Sequence, residues 1–247
     1  MDYRESINKN IFHDSDHALC KARLDSFYGM VCHKQNMEIL HKIKNSHKVL
    51  DVGAGYGNLT DLLNRNGFSA VGIEPNEIKR KLAEEWYGVK LLNEDIYKTS
   101  FKDNEFDCII LREVVFHLDF AKAFQELNRI AKKQIIIFQG NSVITRRIGQ
   151  KIFGHTEFNE RHKNYYVDFF KKTQFSNVTI TYRDIIAFPL SGGFIGKQLV
   201  PSSMKSLMRF IITVDKLFNS FLEIFRLQNF FCMRFIISAE VDEIKQK

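Results

Sequence analysis

Proline is scarce, at 3 of 247 residues, and no Pro- or Ser-rich linker, low-complexity tract or internal repeat is visible. A second independent domain is therefore not expected, and the length suits one large domain with a real core. Cysteine is also sparse. Cys20, Cys32, Cys108 and Cys232 form no CxxC pair, and Cys108 lies in an apolar run that reads as a buried strand. That excludes a disulfide framework and gives no metal site. Long hydrophobic runs are missing: no apolar stretch approaches the ~20 residues that span a bilayer. The first residues, MDYRESINKN, lack the apolar core of a secretory signal. The cytoplasm is the expected location. Charge neutrality is absent too. A net charge of +7 favours anionic partners, although the basic residues are spread along the chain and fit a solvated Lys-rich surface equally well.

What is present has a rhythm. Residues 18–43 show helical spacing, within an N-terminal helical segment ending at about residue 47. KVLDVGAGYG reads as a buried strand running into a Gly-rich turn, and Asn58 begins a helix. SAVGIEP, GVKLLNED, FDCIILRE and QIIIFQG are further short apolar strands, alternating with helices over Asn76–Trp86 and Phe120–Ala131. Such alternation predicts a parallel sheet covered by helices on both faces. After Gly140 a basic stretch leads to a helix, YYVDFFKKTQF, then to a strand, NVTITYRDIIAF. A loop, a helix over Ser203–Arg226 and a last strand, FFCMRFIISAEV, follow.

The chemistry concentrates at strand ends. Asp51-Val52-Gly53-Ala54-Gly55-Tyr56-Gly57 closes the first strand. Glycines there let the chain turn tightly and let a ligand lie against the backbone, next to the free N–H groups of a helix start. The dinucleotide fingerprint G-x-G-x-x-G fails at its third place, which is Asn58. Asp51 would repel a pyrophosphate but suits the ammonium of an amino acid, which points to the methionine half of S-adenosylmethionine. Glu74, followed by Pro75, ends the second strand, where a carboxylate can accept both hydroxyls of a ribose. Asp95 can accept from an adenine amine, with Ile96 packing on the ring; a turn cap is its structural alternative.

In these strand-end residues the chain resembles the small-molecule class I S-adenosylmethionine-dependent methyltransferases, from about Lys48 to Ile180. VLDVGAGYGNLT is similar to their first motif, GIEP to their acidic second-strand end and NEDIYKTSF to their adenine-side motif. FDCIILREVVFHL matches a family segment at Glu113, Val114, His117 and Leu118, and Arg112 adjoins it. NERHKNYYVDFFKKTQFSNVTI is similar to a later family segment. It departs from that pattern at Gln174, where glycine is usual, and at Arg161, which separates Glu160 from His162. The resemblance implies a Rossmann-like α/β fold with a seven-stranded sheet of order 3-2-1-4-5-7-6, the seventh strand antiparallel. It also implies S-adenosylmethionine as methyl donor, held by Asp51, Gly53, Ala54, Gly55, Gly57, Glu74, Pro75, Asp95, Ile96, Arg112, Glu113 and His117.

On the acceptor side, a base is needed only for a protonated nucleophile. His162, His155 and His117 are the candidates, with Tyr165 and Glu157 as partners. Arg146 and Arg147 could bind an anion or form a solvated loop. The Asn/Asp-Pro-Pro-aromatic sequence of base-amino methylation is absent after the fourth strand, as is the paired-glutamate loop of arginine methylation. No nucleic-acid-binding module is recognisable. A small metabolite, sugar or lipid-like acceptor with an O- or N-nucleophile is expected. A non-catalytic S-adenosylmethionine-binding subunit and an NAD-dependent oxidoreductase or epimerase are the alternatives. Residues 190–229, with glycines at 192, 193 and 196, form an insertion between the last two strands that could be a lid, a dimer contact or a packing helix. Its helix carries one apolar stripe that is expected to bury itself on protein, because the interleaved charges are of mixed sign.

Overall fold

The computed structural model describes residues 26–141, 161–192, 199–201 and 203–241. The chain opens with helix α1 (Phe27–Leu40), whose N-cap Ser26 accepts the Gly29 N–H at 2.9 Å. It continues through β1 (Lys48–Val52), α2 (Asn58–Arg65), β2 (Ser69–Ile73), α3 (Glu77–Tyr87), β3 (Phe106–Arg112), α4 (Phe120–Ile130) and β4 (Ala131–Gly140). Asn76 and Asp119 cap α3 and α4 by accepting N–H groups three residues on, and Gly88 ends α3 in a left-handed conformation. Then come α5 (Lys163–Phe170), β5 (Asn177–Arg183), α6 (Ala187–Leu190), α7 (Lys205–Ile224), α8 (Gln228–Phe231) and β6 (Arg234–Glu240).

The six described strands form one sheet of order β2-β1-β3-β4-β6-β5. β2, β1, β3 and β4 run parallel, and β6 is antiparallel to both its neighbours. This is the Rossmann-like arrangement with its reversed strand, but the seven-strand expectation needs correction. GVKLLNED forms a single parallel bridge, Leu92 to Ile73, in place of an edge strand. Lys90 and Leu92 are exposed there and Asn93, Glu94 and Asp95 are polar, so little apolar surface holds the segment to the edge. The strand over NVTITYRDIIAF also stops early. Asp184 takes φ 61° and α6 begins at Ala187, and FFCM precedes β6 instead of joining it.

Two apolar layers flank the sheet. On one face Phe120, Phe124 and Leu127 of α4 meet Tyr166 and Phe170 of α5 over Ile109, Leu111, Ile135 and Ile137. On the other, Ile39 of α1 and Leu59 and Leu63 of α2 cover Val49, Ile110, Phe138 and Ile236. Residues of β3, β4 and β6 are therefore buried on both faces, which explains their continuous apolar runs.

The insertion between β5 and β6 packs differently from its sequence pattern. α7 buries Met208, Asp215, Asn219 and Leu222, while Phe210, Leu217, Phe221 and Ile224 are 50–77% exposed. The expected burial of the apolar stripe is thus corrected. The docked side is organised by Asp215, whose Oδ1 accepts the N–H groups of Ile185, Ile186 and Ala187 at 2.6–3.0 Å. Its Oδ2 lies 3.1 Å from Lys34 Nζ on α1. Burial pushes this carboxyl up, but Lys34 and the three N–H donors outweigh it and hold its pKa below the ordinary range.

Candidate functional site

In a parallel sheet, ligands bind beyond the carboxyl ends of the strands. There β1 hands over to Gly53-Ala54-Gly55-Tyr56-Gly57 before α2. Gly53, Gly55 and Gly57 all have positive φ, at 67°, 58° and 77°, yet they serve different ends. A Cβ on Gly53 would sit 2.5 Å from Val114 Cγ2, and one on Gly57 would sit 3.0 Å from Ala83 Cβ. A Cβ on Gly55 would meet no protein atom within 4 Å. The first and third glycines allow the fold to pack; the middle one faces open space. Ala54 is buried and its N–H donates to the Ile73 carbonyl at 2.9 Å, tying the loop to β2.

Two buried carboxylates border that corner. Glu74, at the end of β2, accepts the Gly55 N–H through Oε2 at 2.9 Å and the Asn76 N–H through Oε1 at 3.0 Å. Pro75 follows, and its carbonyl and that of Glu74 both accept from Arg80 Nη1 at 2.8 Å. Asp51 accepts the Thr60 hydroxyl at 2.8 Å. Burial drives its pKa up to about 6, against the Thr60 hydrogen bond and the Arg112 charge. Tyr56 stacks on Trp86 at 5.3 Å and roofs the α3 side.

Asp95 accepts the Tyr97 N–H at 3.1 Å and so closes a turn, while Ile96 is buried in the core beside Val52 and Ile73. Arg112, at the end of β3, donates to Gln35 Oε1 at 2.9 Å and lies 5.7 Å from the Phe138 ring centre. Glu113 adopts φ 54°, unusual for a residue with a side chain, and its carboxylate pairs with Arg234. His117 sits in a short 3₁₀ turn. Burial pushes its pKa down to about 4, with Lys79 adding to the fall, so the ring is neutral at pH 7.

The acceptor-side candidates fare differently. His162 is exposed and N-caps α5, its Nδ1 accepting the Asn164 N–H at 3.4 Å. The other ring nitrogen, Nε2, faces Lys163 Nζ at 3.4 Å. Tyr165 is exposed under the Arg161 guanidinium, 5.5 Å from its ring centre. His155, Glu157, Arg146 and Arg147 lie outside the described residues, as do Gly193 and Gly196.

Several residues in this region escaped the sequence reading. Gln139, near the end of β4, is fully buried, and neither amide atom has a hydrogen-bond partner among the described residues. Arg234 is buried, with its guanidinium 3.9 Å from the Phe188 ring centre, and burial lowers its pKa to about 10. Asp184 accepts Gln35 Nε2 at 2.6 Å and lies 3.6 Å from Lys34 and 3.7 Å from Arg234. Burial raises its pKa to about 6. The signal for Gln139 and Arg234 was a polar residue inside an otherwise apolar strand. Gln35 had none, because α1 mixes polar and apolar residues all round.

Residues 50–138 match the family described as a methyltransferase domain. An uncharacterized protein of Methanocaldococcus jannaschii is 30% identical over 117 residues, covering 44% of this chain and 50% of that one. The chain thus spans about half the length of that curated relative. A crystal structure of a SAM-dependent methyltransferase from Archaeoglobus fulgidus superposes with TM-score 0.59 at 18% identity, covering 97% of this chain and 100% of that one. A Haemonchus contortus phosphoethanolamine N-methyltransferase in complex with S-adenosyl-L-methionine gives 0.63 at 16% identity, covering 98% and 60%. At these identities the structural likeness establishes the fold.

Proposed function

We propose, from a methyltransferase domain over residues 50–138 on the class I fold, that this chain moves a methyl group from S-adenosylmethionine to a small-molecule acceptor. One observation carries the reading: the open corner at Gly55, flanked by the buried carboxylates of Glu74 and Asp51. The corner fits the donor because it has no Cβ, offers backbone at close range and is bordered by carboxylates that can accept further hydrogen bonds from hydroxyls and an ammonium. In this reading Gly53, Ala54 and Gly57 shape the loop and Glu74 and Pro75 hold the ribose side. Asp95 and Ile96 border the adenine, and Arg112, Glu113 and His117 close the wall along the methyl-bearing centre. Bound S-adenosylmethionine supplies an already activated methyl, so the protein's contribution is mainly alignment and exclusion of water.

Gln139 supports an acceptor beside this wall. A buried amide with unmet donors and an acceptor is costly unless a ligand or water uses it. A proton acceptor is needed only where the nucleophile carries a proton. His162 is exposed and uses Nδ1 as a helix cap, so no proton is routed through it. Residues 190–229, which begin at the last residue of α6, would wall the acceptor side.

Titration calorimetry with S-adenosylhomocysteine tests the proposal. Binding by the wild type and loss of binding in Gly55→Val are expected. Absence of binding to S-adenosylhomocysteine together with a thermal shift by NAD would replace it with an oxidoreductase.

A further inference from the structure

α7 and α8 carry an apolar surface that the rest of the described protein leaves open. At about 100° per residue, Phe210, Leu217, Phe221 and Ile224 share an arc of roughly 60°, opposite the docked side of α7. Phe218 and Phe225 widen it. Phe218 and Phe221 lie nearly parallel at 6.2 Å, and Phe225 meets Phe221 at 4.8 Å. All six are 40–77% exposed. Exposed aromatic and aliphatic side chains in one continuous stripe mark an interaction surface.

The charges around the stripe identify its partner. By the same helical spacing, the exposed Arg209 and Lys216 border one side together with the exposed Glu223, and Arg226 follows the helix end. Of the two acids in α7, Asp215 is buried against Lys34 and the start of α6, which leaves Glu223 as its exposed acid. The mixture of signs seen in the sequence is therefore basic at the surface. An apolar stripe with a net-basic border, on a chain of net charge +7, is the pattern of a helix lying in the interface of an anionic bilayer. A second copy docked on the same face would bring two sets of these cations together. No described helix is long and apolar enough to cross a membrane, so the contact is in-plane.

We infer that the Phe-rich outer face of α7 and α8 docks this protein on an anionic lipid surface, with the side chains from Phe210 to Phe225 entering the acyl boundary. The inference does not depend on methyl transfer.

Co-sedimentation of the full chain with vesicles of phosphatidylcholine alone, or with phosphatidylserine added, tests it. Binding to the phosphatidylserine vesicles that weakens with salt is expected. Phe210→Ser/Leu217→Ser/Phe221→Ser should weaken it by at least about tenfold, since several apolar side chains no longer enter the bilayer. Arg209→Gln/Lys216→Gln should weaken it by roughly fivefold per cation removed. These side chains are exposed, so melting temperatures should hold; if the triple variant does not fold, the charge variant carries the test. No binding to phosphatidylserine vesicles, equal binding to both vesicle types, or undiminished binding by the variants would overturn the inference. So would a wild-type dimer in light scattering that the triple variant splits.

Discussion

Glu74 Oε2 accepts the Gly55 N–H at 2.9 Å, joining the end of β2 to the middle of the glycine loop. The carboxylate that is proposed to face the ribose also fixes the backbone that is proposed to face the donor. Glu74→Gln keeps the shape and an acceptor but loses the charge. Its affinity for S-adenosylhomocysteine should fall by roughly ten- to a hundred-fold, as for one lost charge-assisted hydrogen bond of about 1.5–3 kcal/mol. Equal affinities by calorimetry would remove Glu74 from the site.

The three loop glycines should separate by experiment. Gly53→Ala drives a methyl into Val114 and should lower stability by about 1–3 kcal/mol in urea unfolding. Gly55→Ala meets no protein atom and should cost about 1 kcal/mol for its left-handed backbone, with a much larger loss of donor affinity. A Gly55→Ala protein with wild-type donor affinity would show that the open corner is not used.

Asp51 makes stability depend on pH. Its folded pKa is raised from 3.8 to about 6, so between these values the native state holds a proton that the unfolded chain releases. The associated stability is full below about pH 4 and is lost as pH rises toward 6 and above. A change of this size corresponds to roughly 3 kcal/mol. Asp51→Asn removes the titration. The stability difference between wild type and Asp51→Asn should shift in the variant's favour from pH 4 to 7, then level off; a constant difference would contradict the assignment.

Gln139→Leu removes two buried polar atoms that have no partner among the described residues, without changing volume much. Stability should rise by about 1–3 kcal/mol. If the amide faces the acceptor, kcat/KM should fall with donor affinity unchanged. A gain in stability with unaltered turnover would assign Gln139 no part in acceptor binding.

His162→Ala should cost about 1 kcal/mol of stability, the value of an N-cap, with less than about a twofold change in turnover. A large fall in kcat at unchanged stability would return the histidine to the chemistry.

The central fold was legible because its signals were local and strong. Apolar runs buried on both faces, capping residues such as Asn76 and Asp119, and the spacing of Gly53, Gly55 and Gly57 each specify their own element. The reversed last strand followed from the family resemblance and is present as β6. GVKLLNED misled because its apolar residues are too few to hold an edge strand. The insertion misled for a different reason: α7 docks through Asp215, a residue whose partners are remote in sequence. Helical periodicity reports where apolar residues lie on a helix, and here the protein interior takes the other side. Gln35 and Asp184 were invisible for the same reason, since their partners come from other parts of the chain, whereas Gln139 and Arg234 left only the weak signal of a polar residue in an apolar strand.

That remoteness has a consequence for synthesis. Lys34 contacts Asp215 across 181 positions and Gln35 contacts Asp184 across 149. α1 therefore leaves the ribosome with two of its inward-facing polar side chains lacking their native partners. At about 5–20 residues per second, some 10–40 s separate the making of Lys34 from that of Asp215. During that interval the α1 face of the sheet can collapse on apolar contacts alone. The contact of Lys34 with Asp215 cannot close before residue 215 is made, so a ribosome stalled short of it should hold a nascent chain whose first described helix is more open to protease than in the finished protein.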